Sequence, residues 1–170
     1  DMLSSGATLP SSFGATPPRV NYGAMETKGW ETEVKFRHAF DNGLFQLDVY
    51  GPNGFYRMFK GDTQRPNLKI HCTYEKSKEG QSFTGRLTFT CTNQDSKSHR
   101  LLLEDISYGK DRKEVQLKAG ASTTVHFDLS KQSFWYDFRI SCKDDNTFEE
   151  HYAGRIEVGK SGKSDPLLSR

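Results

Sequence analysis

The 170-residue sequence has only three cysteines, Cys72, Cys91 and Cys142, and no two of them stand at C-x-x-C spacing. A dense disulfide framework and a thiolate zinc module are therefore excluded as the basis of the fold. An excess of one charge is also missing. The 24 basic and 22 acidic residues leave a formal net charge of +2, too little to wrap a polynucleotide, so no nucleic-acid partner is expected. No apolar run approaches the ~20 residues of a membrane-spanning helix. The first residues also lack the basic-then-apolar layout of a signal peptide, so no targeting segment is expected within this chain.

What the sequence has is aromatic residues, with 12 Phe, 7 Tyr and 2 Trp. That balance favours strands over helices, and no stretch holds a helical period for long. Residues 1–25 are rich in Ser, Gly, Pro and Thr and read as a leader. Short alternating runs follow at Val34–Phe36, Phe45–Val49 and Phe55–Phe59, joined by turn residues. A second series begins at Leu68 and runs through residues 86–91, 100–103, 113–117, 124–127, 135–142, 148–152 and 155–158. So many short strands in so short a span predict an immunoglobulin-like antiparallel β-sandwich, best ordered over residues 66–160. Its expected core includes Leu87, Phe89, Leu102, Val115, Val125, Phe127, Tyr136, Phe138 and Ile140. Cys91 and Cys142 share the parity of these inward rows, which predicts burial as free thiols, with a bridge between them as the alternative.

The two series match each other. Val34, Phe36, Phe45, Leu47 and Val49 correspond to Val125, Phe127, Tyr136, Phe138 and Ile140, each 91 positions on. Beyond the next turn the offset is 93, pairing Phe55 with Phe148, Phe59 with Tyr152 and Gly61 with Gly154. This is the mark of a duplicated unit. Residues 26–65 are then the C-terminal part of a first β repeat, and residues 66–170 a complete sandwich repeat with a polar tail. A full unit at this offset would start before residue 1, so the chain is expected to open inside its first repeat.

One stretch, GRIEVGKS at Gly154–Ser161, satisfies the G-x-x-x-x-G-K-[ST] pattern of a phosphate-binding loop. That loop needs a following helix whose N-terminus faces the phosphates. Here a Ser/Gly/Lys segment and Pro166 follow, and Glu157 sits where an anion would. A last strand with a polar tail is the expectation, and no ATP binding.

Two segments, VYGPNGFYRMFKGD at residues 49–62 and YAGRIEVGKSGKSDPLL at residues 152–168, resemble landmark segments near the C-terminus of bacterial phosphocholine-type phospholipases C. The positions that carry the resemblance are Gly51, Pro52, Asn53, Gly54, Phe55, Arg57, Phe59 and Gly61 in the first, and Gly154, Glu157, Gly159, Ser164, Asp165 and Pro166 in the second. Trp135, Tyr136 and Asp137 resemble the W-Y-D strand of that family. The resemblance implies a non-catalytic C-terminal region of a phosphatidylcholine-hydrolysing enzyme. The nucleophile and metals would belong to an N-terminal phosphoesterase domain that this chain does not include. It also implies an exported, periplasmic or secreted parent, with that domain as partner and a phospholipid surface as a second one.

The sequence alone nominates no catalytic, cofactor-binding or metal residue. Among His38, His71, His99, His126 and His151 only His71 adjoins a cysteine, and neighbours on a strand face opposite ways. The carboxylates Asp144, Asp145, Glu149 and Glu150, with Asp111 and Glu114, read as solvated loops. No Ser stands in a nucleophile elbow. The GPNG turn reads as hairpin geometry with Pro52 at the first corner. Lys160, Lys163 and Arg170 give the tail a cationic character suited to anionic lipid or simply to solubility. No cofactor is expected. A self-sufficient immunoglobulin-like module binding a glycan, lipid surface or cell-surface protein is the alternative to an accessory region.

Overall fold

The computed structural model describes residues 33–37 (backbone), 43–80, 82–159, 162 and 164–167. They form ten strands: β1 (Glu33–Arg37), β2 (Phe45–Tyr50), β3 (Tyr56–Gly61), β4 (Leu68–Lys76), β5 (Phe83–Asn93), β6 (His99–Asp105), β7 (Arg112–Leu117), β8 (Ser122–Asp128), β9 (Trp135–Cys142) and β10 (Asp145–Arg155). A short 3-10 turn at Ser130–Gln132 precedes β9. All strand pairs are antiparallel, in a seven-stranded sheet ordered β1-β2-β3-β10-β9-β6-β7 and a three-stranded sheet ordered β4-β5-β8. The fold is all-β, two packed antiparallel sheets, as the alternation predicted. No helix among the described residues is long and apolar enough to cross a membrane.

Alternation builds the core directly. In β5 the inward row Gly85, Leu87, Phe89, Cys91 and Asn93 is buried. The outward Thr88, Thr90 and Thr92 pair their hydroxyls with His126 Nδ1 (3.0 Å), Thr124 (3.4 Å) and Ser122 (3.0 Å) on β8. In the core, Phe89 meets Phe127 of its own sheet and Phe138 and Tyr152 of the opposite one edge-on, at centroid distances of 6.1, 5.5 and 5.3 Å. Those tilted contacts are the ones that ring quadrupoles favour.

Seven of the nine expected core residues lie in this cluster. Val115 is only half-buried against it, and Leu102 is buried but lies outside it. The inward row of β6 is instead His99, Leu101, Leu103 and Asp105, because β6 pairs with β9 so that Leu101 faces Cys142 and Leu103 faces Ile140. In a run of three leucines parity alone cannot choose the face. Cys91 and Cys142 are buried, and all three thiols are unpaired.

The 93-residue sequence offset has a geometric counterpart. The hairpins β2–β3 and β9–β10 meet edge to edge through β3 and β10, with Phe59 opposite Glu150, Met58 opposite His151 and Arg57 opposite Tyr152. Met58 and His151 are equivalent positions at the 93-residue offset, so a local two-fold passes between them and exchanges the flanking pairs. Phe59 and Tyr152, also equivalents, contact edge-on at 6.2 Å. The symmetry stops at the flanks: β8 pairs with β5 in the small sheet, while β1, its sequence counterpart, pairs with β2 in the large one.

Candidate functional site

The landmark residues Gly54, Phe55, Arg57, Trp135, Tyr136 and Gly154 converge where the two hairpins meet. The Phe55 amide donates to the Pro52 carbonyl (3.0 Å), and Asn53 and Gly54 between them have φ of 54° and 69°. Two positive φ values in sequence mark the primed turn that suits a twisted hairpin. Asn53 and Gly54 are therefore the corners, and Pro52 precedes them rather than forming the first. A Cβ on Gly54 would lie 2.8 Å from the Trp135 ring, so glycine lets the W-Y-D strand pack on this turn.

Arg57 then reaches across the junction. One guanidinium nitrogen donates to the carbonyls of Tyr56 and Ala153 (both 2.7 Å), and the other donates to the Tyr136 hydroxyl (2.8 Å). The group lies over the Phe55 ring at 4.3 Å and near the Tyr152 ring at 5.1 Å. Tyr136 is fully buried, and its hydroxyl is 2.6 Å from that of Tyr74 on the opposite sheet. Arg57 retains some surface, yet its guanidinium is ringed by protein. Burial opposes its charge, and the oxygens of Tyr136 and Tyr74 and the Cys72 sulfur outweigh that, so its pKa is raised further. Gly154, at φ 151°, leaves room for the Tyr136 hydroxyl, which a Cβ would approach to 2.9 Å. Gly61 is close-packed against Arg65.

On the outward face of the large sheet, Asp137 accepts from the Ser107 hydroxyl through Oδ2 and meets His151 Nε2 through Oδ1. Its carboxyl is held below the ordinary range: burial opposes this, and the bonds from His151 and Ser107 prevail. Ser, Asp and His are thus together, but the carboxylate is in the middle. In a hydrolytic triad the imidazole must bridge nucleophile and carboxylate, so this arrangement cannot activate Ser107. Nearby, the Tyr108 hydroxyl donates to Asp165 (3.0 Å) and its ring tilts against Trp135 at 6.4 Å. Tyr56 stacks edge-on with His151 at 5.0 Å.

Over its described residues 154–159 the phosphate-loop pattern runs from the end of a strand along the core. Gly154 lies in β10, and Ile156 and Val158 are buried in the core. The Ile156 amide donates to the Phe134 carbonyl (3.0 Å), and Glu157 is exposed and bonded to Arg155 (2.7 Å). Gly159 and Ser164 are exposed, and Pro166 is half-buried. Lys160, Ser161, Lys163 and Arg170 lie outside the described residues.

Residues 68–155, just over half of the chain, match the family described as bacterial phospholipase C, C-terminal domain. The chain belongs to that family. It is similar to the non-hemolytic phospholipase C of Pseudomonas aeruginosa, 31% identical over 133 residues, covering 74% of this chain and 18% of the relative. The non-hemolytic phospholipase C of Burkholderia pseudomallei is 32% identical over 132 residues, covering 77% of this chain and 19% of that protein. The hemolytic phospholipase C of Pseudomonas aeruginosa is 27% identical over 135 residues, with 75% and 17% covered. The chain therefore spans less than a fifth of the length of the curated relatives it matches. It is a non-catalytic, β-rich C-terminal domain of a phospholipase C family protein.

The acidic side chains of this phospholipase C domain divide between core and surface. Glu150, read from sequence as part of a solvated loop, is buried on β10: its neighbour parity points it inward, where Arg65 (3.0 Å) and the Tyr152 hydroxyl (2.7 Å) hold it. Burial raises its pKa above the usual carboxylate value despite those two bonds. Asp145 caps its own turn, accepting from Thr147 and Phe148 amides. Glu114 is paired with Lys143 at the surface. His71 is exposed while Cys72 turns inward, as adjacent strand positions require. At one end of the sandwich His99, Cys142 and Asp144 bring their ligand atoms within 4.8 Å of one another. Sequence spacing could not have found this trio, since His99 and Cys142 are distant in the chain and meet only through β6–β9 pairing.

Proposed function

We propose that this region is the accessory C-terminal part of a secreted or periplasmic phospholipase C, whose N-terminal phosphoesterase domain hydrolyses phosphatidylcholine to diacylglycerol and phosphocholine. The region braces that domain and helps it approach a phospholipid surface. The observation that carries this reading is the match of residues 68–155 to the C-terminal domain family, in a chain that covers only 18% of a phospholipase C relative. The landmark residues support it, since Gly54, Arg57, Tyr136 and Gly154 are spent on joining the hairpins. Ile106 and Leu167, exposed large apolar side chains two residues from the bonded Tyr108 and Asp165, suit the edge of a contact with a neighbouring domain. The strand split β4-β5-β8 against β10-β9-β6-β7 supports an immunoglobulin-like unit within the larger sheet.

The test has two arms. The purified chain should bind no ATP and hydrolyse neither phosphatidylcholine nor a chromogenic phosphocholine ester, with or without added metals. Removing residues 26–170 from the parent enzyme should lower its stability or its activity on lipid bilayers. Turnover by the isolated chain above the buffer rate, abolished by Lys160→Ala or Ser161→Ala, would overturn the reading.

A binding module for glycan, lipid or cell-surface protein is the second reading, favoured by the half-buried Tyr50, Tyr56, Tyr108 and Trp135 on the outward sheet face. Specific glycan or vesicle binding by the isolated chain, lost on Trp135→Ala, would favour it over the brace.

A further inference from the structure

His99 begins β6, Cys142 ends β9 and Asp144 sits in the β9–β10 turn, and antiparallel pairing of β6 with β9 gathers them at one end of the sandwich. His99 is 1% exposed and Cys142 4% exposed. His99 Nε2 lies 2.7 Å from Asp95 Oδ2, and that carboxylate oxygen is itself fixed by the Asn67 amide at 3.1 Å. With Nε2–H donating to Asp95, Nδ1 carries the ring lone pair and accepts from the Cys142 thiol at 3.9 Å. A carboxylate holding the far nitrogen of a buried imidazole is the outer-shell pattern that orients histidine ligands toward metals.

We propose that His99 Nδ1, Cys142 Sγ and an Asp144 carboxylate oxygen form a binding site for a thiophilic divalent cation, zinc above all, with water as fourth ligand. Zn–N bonds of ~2.0 Å and Zn–S bonds of ~2.3 Å at a tetrahedral angle separate the two donors by about 3.5 Å. The observed 3.9 Å requires only a small closure. Asp144 is exposed and supplies the access route. It now accepts from the Arg100 amide (2.8 Å) and guanidinium (3.3 Å), and the half-exposed Arg100 side chain can release it. One thiolate and one carboxylate neutralise a dication, and the sulfur–imidazole pair selects zinc or cadmium over calcium and magnesium. Burial raises the Cys142 thiol pKa, so the metal-free sulfur is protonated. On binding, the S–H bond breaks, the S–metal bond forms, and the proton passes to solvent, with no change of oxidation state. The bound ion would tie β6 to the β9–β10 turn.

Cadmium titration of the folded chain tests this, with a Cys72→Ser background removing the half-exposed thiol. The expected result is a cadmium–thiolate ultraviolet band saturating at one ion per chain, release of about one proton, and an upward shift of the unfolding midpoint reproduced by zinc. Asp144→Asn, a surface change, should weaken binding at least about tenfold without altering the circular dichroism. Cys142→Ser should abolish the band. Absence of the band on folded protein, its persistence in Cys142→Ser, its loss in Cys72→Ser, or unchanged affinity in Asp144→Asn would each overturn the site.

Discussion

If Arg57 and Tyr136 weld the two hairpins, their contributions to stability must be coupled. Tyr136→Phe removes one hydroxyl from a fully buried position, leaving the ring packing unchanged and taking a partner from both Arg57 and Tyr74. A buried hydrogen bond to a charged group is worth about 1.5–3 kcal/mol, so a loss of about 2 kcal/mol is expected. Arg57→Met keeps most of the side-chain volume but strips donors from the Tyr56 and Ala153 carbonyls as well as from Tyr136. It also removes the cation over the Phe55 ring. Those losses reach about 3 kcal/mol, held to that by the surface Arg57 keeps, which lets water serve some freed acceptors. The double variant should lose less than the sum, by about 1–2 kcal/mol, because the bond between the two groups is counted twice in the single variants. Urea unfolding of all four proteins, with unchanged m-values, reads the cycle. Additivity within about 0.5 kcal/mol would refute the weld, as would an Arg57→Met protein as stable as the parent.

Glu150→Gln tests the buried carboxylate. A folded-state pKa raised by burial means that ionisation costs the native state, so stability from this site is present below the unfolded-state value and lost as pH rises through the folded one. The glutamine variant should lack that fall, and a parent whose stability does not fall across that window would contradict the assignment. Gly154→Ala should cost about 2–4 kcal/mol, combining a backbone conformation reserved for glycine with displacement of the Tyr136 hydroxyl 2.9 Å from the new Cβ. A melting temperature within a degree or two of the parent's would show that Tyr136 yields freely.

Period-2 alternation fixed much of this molecule locally. It defined the strands, the inward rows 87-89-91 and 136-138-140-142, and the burial of both core cysteines. Asn53 and Gly54 fixed a turn, because few residue pairs accept two positive φ values in succession. The repeated spacing of Phe59 and Tyr152 declared two equivalent hairpins. Alternation says which way a side chain points, but it is silent on which strand lies alongside and what waits on the inward side. Edge pairing of β3 with β10 therefore emerged only in the fold, and with it the two-fold through Met58 and His151, the reach of Arg57 to Tyr136, and the inward burial of Glu150 against Arg65. The approach of His99 to Cys142 belongs to the same class. It depends on how β6 registers against β9, a long-range choice made by burying the Leu101 and Leu103 row in the common core rather than by any local signal in the chain.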